Sequence, residues 1–459
     1  MRHRILAVAL FPLTFFAGAA QASNLIPNPD FAAGLTDWNA SGGGIVNLGL
    51  DDGIPTPSSL HLSTDGAPVS GATTSCIQVD DSSNVDLHMF AKGLVPEGSV
   101  VGASILAYSD SACTAFVSSL ATDQITLGFN SPWTPISIDD AALPAGTASV
   151  QVGVNVQPET VGANGEALVD HVEFGPTGTL DDAISIAQEG LSGAWYNPVN
   201  SGQGLEFVID PGTNGGPGSL FGSWYTYGVI AGGTDTQRWY SLESNFQPDG
   251  TAADITIYQN VNGNFNGPPA TTAAAVGSGK LTFFSCELAL FTYAFDDGGP
   301  AGAMGLVRLL PNVECGVPPP LGSDFGLTGA WYDAATSGQG FIVEVNPADS
   351  QVFAGWYTYG LDASDAGASG QRWLSLQGSY AAGDYSMDLT IYSSTNGTLD
   401  SNATAVTTVP VGLATLTFLT CTTATLDYAF TDGEYAGQVD SIDLVRLGAR
   451  LANCPFDPL

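Results

Sequence analysis

LSGAWYNPVNSGQG fills residues 191–204, and LTGAWYDAATSGQG fills residues 327–340. The residues after each stretch are repeated as well. FGSWYTYG at Phe221 matches FAGWYTYG at Phe353, and QRWYSL at Gln237 matches QRWLSL at Gln371. DITIY at Asp254 matches DLTIY at Asp388, and LVRLL at Leu306 matches LVRLG at Leu444. One design is therefore written twice, over residues 190–317 and 326–457.

Most of the repeated runs have strand length and are rich in β-branched and aromatic residues. Alternation sorts their faces. Leu205, Phe207 and Ile209 point one way, with Glu206 and Asp210 opposite; Phe341, Val343 and Val345 likewise oppose Glu344. Ile255 and Ile257 oppose Asp254, Thr256 and Tyr258. This pattern predicts antiparallel sheet with one apolar and one wet face. Roughly seven or eight strands per copy, without a helix, fit a small closed barrel that leaves no exposed edge.

Upstream, residues 1–22 read MRHRILAVALFPLTFFAGAAQA. Arg2 and Arg4, a short apolar run and Ala20-Gln21-Ala22 form the pattern of a secretory signal peptide, with the mature chain expected from Ser23. No later stretch reaches membrane-spanning length. The chain carries 45 acidic and 9 basic residues, a net charge of −36. That field disfavours nucleic acid and anionic lipid as partners.

Six cysteines after a signal peptide imply disulfides, with fifteen pairings possible in principle. Each copy holds one pair, Cys286 with Cys315 and Cys421 with Cys454, which leaves Cys76 with Cys113. The expected organisation is all-β: an N-terminal sandwich over 23–178, then the two tandem barrels. TLDDAISIAQEG links the sandwich to the repeats, and the proline-rich GVPPPLGSDF separates the copies.

The N-terminal segment opens NLIPNPDFAAGLTDW at Asn24 and closes GEALVDHVEFGPTG at Gly165. These edges resemble the galactose-binding-like jelly rolls of many carbohydrate-binding modules. The resemblance implies that Asn28, Asp30 and Phe31 lie beside Asp170 and Val172, with a structural calcium near Asp30 and Asp170. His171 replaces the second aspartate of the usual terminal pair. It also implies a glycan ligand stacked on exposed aromatics, for which Trp133, Tyr108 and His88 are the candidates; Trp38 is assigned to the core.

Gly193-Ala194-Trp195 and Gly329-Ala330-Trp331 each open a repeat, and Arg308 and Arg446 sit on each last strand. Gly-x-Trp on strand one with a basic residue on the last strand resembles the calycin barrels. That resemblance implies Arg308 stacked on Trp195 and Arg446 on Trp331, closing one barrel end. Asn197 and Ser201, and in the second copy Asp333 and Ser337, stand at the spacing that avidins use to hold biotin. The later tryptophans of the avidin site are missing, which excludes tight biotin binding. Otherwise these polar residues read as turn formers. The repeats also resemble domains of uncharacterised secreted proteins of proteobacteria.

No Gly-x-Ser-x-Gly elbow, HExxH, phosphate loop or dinucleotide fingerprint occurs. The mature chain's three histidines, His61, His88 and His171, all precede the repeats. The repeated acids Asp254/Asp388 and Asp297/Asp432 are expected to pair with the repeated arginines Arg238/Arg372 and Arg308/Arg446, or to sit in turns. The sequence thus points to a secreted, non-catalytic binder of glycans or cell-envelope material from a Gram-negative bacterium. The alternatives are a binder of small apolar ligands inside the barrels and a polysaccharide hydrolase with a carboxylate pair.

Overall fold

The computed structural model describes residues 24–456 except 50–52, 54–57, 81–83, 122–123, 130, 132, 178–179, 181–183, 201, 213–215, 249, 297, 311–312, 314, 316–322, 362–366, 402–403 and 452–453. The described residues form twenty-eight strands and six short 3₁₀ turns. The expected signal peptide, Ser201 and Asp297 lie outside the described residues. All three disulfides form: Cys76–Cys113, Cys286–Cys315 and Cys421–Cys454.

The N-terminal part is a two-sheet sandwich. One sheet has seven strands. The other has five, ordered Thr134–Ala142, Asn84–Gly93, Glu166–Pro176, Ser59–Ser63 and Ile45–Gly49. Inward residues such as Phe31, Leu60, Leu87, Val152 and Phe174 fill the space between them. Asn28 clamps the entry turn. Its amide donates to the carbonyls of Gly34 and Thr36, and its side-chain oxygen accepts from the Ala33 amide. Trp38 is buried against Phe31 and donates to the Asn28 carbonyl.

Each repeat closes into an eight-stranded antiparallel barrel with strands in chain order. Barrel 1 runs from Gly193–Tyr196 to Ala301–Arg308, and barrel 2 from Gly329–Tyr332 to Val439–Leu447. The first and last strands pair to close each cylinder, with Trp195 opposite Arg308 and Trp331 opposite Arg446. The Arg308 Cζ lies 5.2 Å from the Trp195 ring centroid, and the Arg446 Cζ 4.4 Å from that of Trp331. The interiors are packed. Trp195, Phe207, Trp224, Phe283 and Phe291 are all fully buried within barrel 1, so side chains occupy the space that an apolar ligand would need.

The outward faces differ from the sequence expectation. Glu206 and Glu344 lie opposite the apolar rows, yet both are buried. The reason is a second layer of packing. Val208, Tyr225 and Trp239 of barrel 1 form one cluster with Ile342, Tyr357 and Trp373 of barrel 2. The two barrels stand face to face, and their contacts are reciprocal. The Gln237 amide donates to the Trp373 and Ser394 carbonyls, and the Gln371 amide to those of Trp239 and Asn260. The Trp239 indole donates to the Thr358 carbonyl, and the Trp373 indole to that of Thr226. This is the pattern of a two-fold dimer interface, built here within one chain.

The barrels also exchange loops. Phe265, between strands Ala252–Gln259 and Ala274–Phe283 of barrel 1, packs into barrel 2, its ring 4.2 Å from Tyr435 and 5.4 Å from Trp356. Leu399, between Ser386–Thr395 and Thr407–Phe418 of barrel 2, packs on the core of barrel 1. Beside it, Asp400 accepts from the Tyr293 hydroxyl at 2.9 Å and from the Asn200 amide at 2.9 Å.

Candidate ligand-binding site

The outer face of the five-stranded sheet carries the polar groups that strand alternation cannot bury in the sandwich. On strand Asn84–Gly93, Val85, Leu87, Met89 and Ala91 enter the core, so period two sends Asp86, His88, Phe90 and Lys92 outward. Register sets His88 between Ser137 and Glu173, and Phe90 between Pro135 and Asp170. A bulge between Asp170 and Glu173 puts His171 at φ +48°, a local distortion that re-aims a side chain. Its Nδ1 lies 2.7 Å from Asp30 Oδ1, and its Nε2 3.7 Å from Glu173 Oε1.

Barrel 1 supplies the other wall. Phe90, Trp133 and Leu168 pack against Phe284, Leu288 and Leu290 of the barrel, with the Phe90 and Phe284 rings 5.2 Å apart, edge to face. Where this contact ends, a cleft of about 240 Å³ remains. His88, Ser137, Asp139, His171 and Glu173 present polar groups to it, and Phe90 and Phe284 present rings. His88 Nε2 lies 3.0 Å from Asp139 Oδ1. On the same sheet, His61 Nε2 lies 2.6 Å from Glu166 Oε1. His61, His88 and His171 therefore all stand beside carboxylates.

The residues suggested by the sequence are dispersed. His88 lines the cleft. Trp133 is only 4% exposed, because barrel 1 covers it; it is a contact residue between domains and offers no open ring to a sugar. Tyr108 belongs to the other sheet, half-buried, donating to Gln151 Oε1 and set edge-on to Phe116. Phe284 and Glu173 escaped the sequence reading. Phe284 comes from another domain, and Glu173 reads as one more acid on a strand.

At the barrel ends, Asn197 and Asp333 form turns. The Asn197 carbonyl accepts from the Asn200 amide, and the Asp333 carboxylate caps the short turn Ala334–Thr336 by accepting from the Ala335 amide. The Ser337 carbonyl accepts from Thr271 of the exchanged loop. The repeated Ser-Gly-Gln-Gly acts through its glutamine. Gln203 accepts from Thr226 and donates to the Thr398 carbonyl of barrel 2; Gln339 accepts from Thr358 and donates to the Asn264 carbonyl of barrel 1. These glutamines fasten each exchanged loop, a role invisible without the partner barrel.

Of the two arrangements expected for the repeated acids, pairing with the repeated arginines is not seen for Asp254, Asp388 or Asp432, and a turn position is seen for Asp432. Arg308 pairs with Glu344 at 2.7 Å and Arg372 with Glu434 at 2.6 Å. Asp254 and Asp388 are exposed on different barrels, with Asp388 accepting from Thr415. Asp432 sits in a turn and accepts from the Gly433 amide.

Among the described residues, no group of three or more His, Cys, Asp or Glu side chains is placed to hold a metal ion. Asp170 is buried and accepts the His171 amide, while Asp30 accepts the imidazole. Calcium requires six to eight oxygen ligands. The imidazole of His171, standing beside Asp30, adds no oxygen to that donor set.

No family description and no curated protein matches the sequence. Solved structures of carbohydrate-binding modules do resemble part of the chain. The C-terminal family 22 module of Clostridium thermocellum Xyn10B is 16% identical, with a TM-score of 0.27, covering 33% of this chain and 92% of that one. The CBM22-2 xylan-binding domain of Paenibacillus barcinonensis Xyn10C is 19% identical, with a TM-score of 0.26, covering 32% and 98%. The enzymatically active domain of bacteriophage CBA120 tailspike protein 4 is 20% identical, with a TM-score of 0.27; the match spans 33% of this chain and 21% of the tailspike chain.

Proposed function

We propose that this is a secreted, non-catalytic glycan-binding protein whose binding face is the outer surface of the five-stranded sheet where it meets barrel 1. The observation that supports this is the cleft itself: carboxylates, imidazoles and a hydroxyl converge beside two phenylalanine rings. Sugars present this combination of demands, with hydroxyls that both donate and accept and C–H faces that pack on aromatic rings. The three disulfides accord with an oxidising compartment. Because Phe284 forms part of the wall, the intact chain is the species to test. On a glycan array the full-length protein should bind a polysaccharide class, and His88→Ala with Asp139→Ala should lower that binding at least tenfold. Binding unchanged by the double substitution would remove the cleft from the proposal. Calcium at Asp30 and Asp170 is a separate proposal, against which the imidazole counts; a higher melting temperature with calcium than with EDTA would support it.

A further inference from the structure

We propose that the seam between the barrels holds a second site, for a small organic cation with an apolar body, in which Glu206 is the counter-ion. This site is independent of the glycan cleft. Glu206 is 1% exposed and, among the described residues, has no cation beside it; its polar neighbours are the Tyr225 hydroxyl and the Gly355 amide, neither in full hydrogen-bond geometry. The Tyr225 hydroxyl lies between this carboxyl and Ser223. Glu206 and Tyr225 line a cavity of about 280 Å³ between the barrels, walled by Leu205, Phe353 and Trp373. Leu309, 37% exposed, stands at its rim and connects it to solvent.

The pseudo-two-fold makes this carboxylate conspicuous. Its counterpart Glu344 receives Arg308 Nη2 at 2.7 Å and the Ala194 amide at 2.7 Å. Symmetry would send Arg446 to Glu206. Arg446 instead donates to the carbonyls of Cys421, Thr328, Gly326 and Leu327. One of two equivalent carboxylates thus has its cation within the protein, and the other faces a cavity. With no cation beside it, a buried carboxyl keeps its proton; a cation supplied from outside favours the ionised form, and the affinity comes from the pair then made in the low-dielectric seam.

The walls select the class of cation. Divalent metals need several oxygen ligands, and among the described residues the cavity lining contains no carboxylate besides Glu206. Aromatic faces favour ammonium and amidinium groups. The volume lies just below the range of ordinary small-molecule pockets, which begins at roughly 300 Å³, and so suits a compact amine. The net charge of −36 raises the local concentration of cations.

Isothermal titration of the full-length protein at neutral pH with 2-phenylethylamine and benzamidine, each against its neutral analogue 2-phenylethanol or benzamide, tests the proposal. One amine or amidine should bind with one site per chain and at least tenfold more tightly than its analogue. Glu206→Gln, which keeps the shape and removes the charge, should abolish that preference while retaining the cooperative melting transition of the parent. His88→Ala should leave it intact, which separates this site from the glycan cleft. Equal affinity for cation and neutral analogue, no binding of either cation, or a preference that survives Glu206→Gln would each overturn it.

Discussion

Glu206 and Glu344 show how far one position can differ between two copies of the same design. Burial pushes the Glu206 carboxyl well above the usual carboxylate range; the nearby Tyr225 hydroxyl opposes this, and repulsion from Glu344 adds to it. A carboxyl whose pKa is higher in the folded than in the unfolded state stabilises the fold below its unfolded pKa, and that contribution is lost as pH rises through the folded value. Over the interval above the ordinary carboxylate range, the parent should therefore lose stability relative to Glu206→Gln as pH rises. Thermal melts across that interval check this, and parallel curves would refute it. Tyr225, Tyr357 and Glu344 are the ionisable groups facing the carboxyl. Glu344 is the opposite case. With both side chains fully buried, Glu344→Ala strands Arg308 among the carbonyls of Gly190, Ser192 and Leu310. A loss of about 3–5 kcal/mol in urea unfolding is expected, the usual result of breaking a buried pair from one side. Trp195 with Arg308, and Trp331 with Arg446, were paired in advance through the resemblance of Gly-x-Trp and a last-strand arginine to calycin barrels, and each guanidinium does lie against its indole. A Glu206 without a cation could not be foreseen, because alternation assigns Glu206 a side of its strand and says nothing about what covers that side.

The exchanged loops belong to the next scale. Residues 260–273 and 396–406 read locally as hairpin connections rich in Asn and Gly. At equivalent places they carry Phe265 and Leu399, and each delivers that side chain to the other barrel. Phe265 meets four rings, those of Trp356, Tyr428, Phe430 and Tyr435. Phe265→Ala should cost about 2–3 kcal/mol, below the 3–5 kcal/mol of a fully buried phenylalanine because this ring is only partly enclosed. Leu399→Ala should cost less, about 1–2 kcal/mol, and urea titrations of the two variants measure the difference. Strand positions and faces were readable from period two within each element. The destinations of the loops were not, since nothing in a loop's own composition names the barrel that it enters.

At the scale of the molecule, the seam makes two barrels behave as one unit. Reciprocal glutamine and indole hydrogen bonds, the Arg308–Glu344 pair and the two plugs all cross it. Calorimetry should show one transition for both barrels, whereas two separated transitions would contradict the coupling. A protease site placed in GVPPPLGSDF should, after cutting, leave two fragments that co-elute from a sizing column. The jelly roll meets barrel 1 through a smaller contact around Phe90, Trp133 and Phe284, and this contact turned Trp133 from a candidate sugar platform into an interior residue. The sequence by itself determined the all-β class, the duplication and the disulfide partners. Those features rest on short-range periodicity and on repetition. Only the tertiary structure decided which outward faces stay wet, which barrel each loop seals and where the cavities lie. These depend on how finished domains pack against one another, and an amphipathic strand carries the same alternation whether its polar face meets water or another barrel.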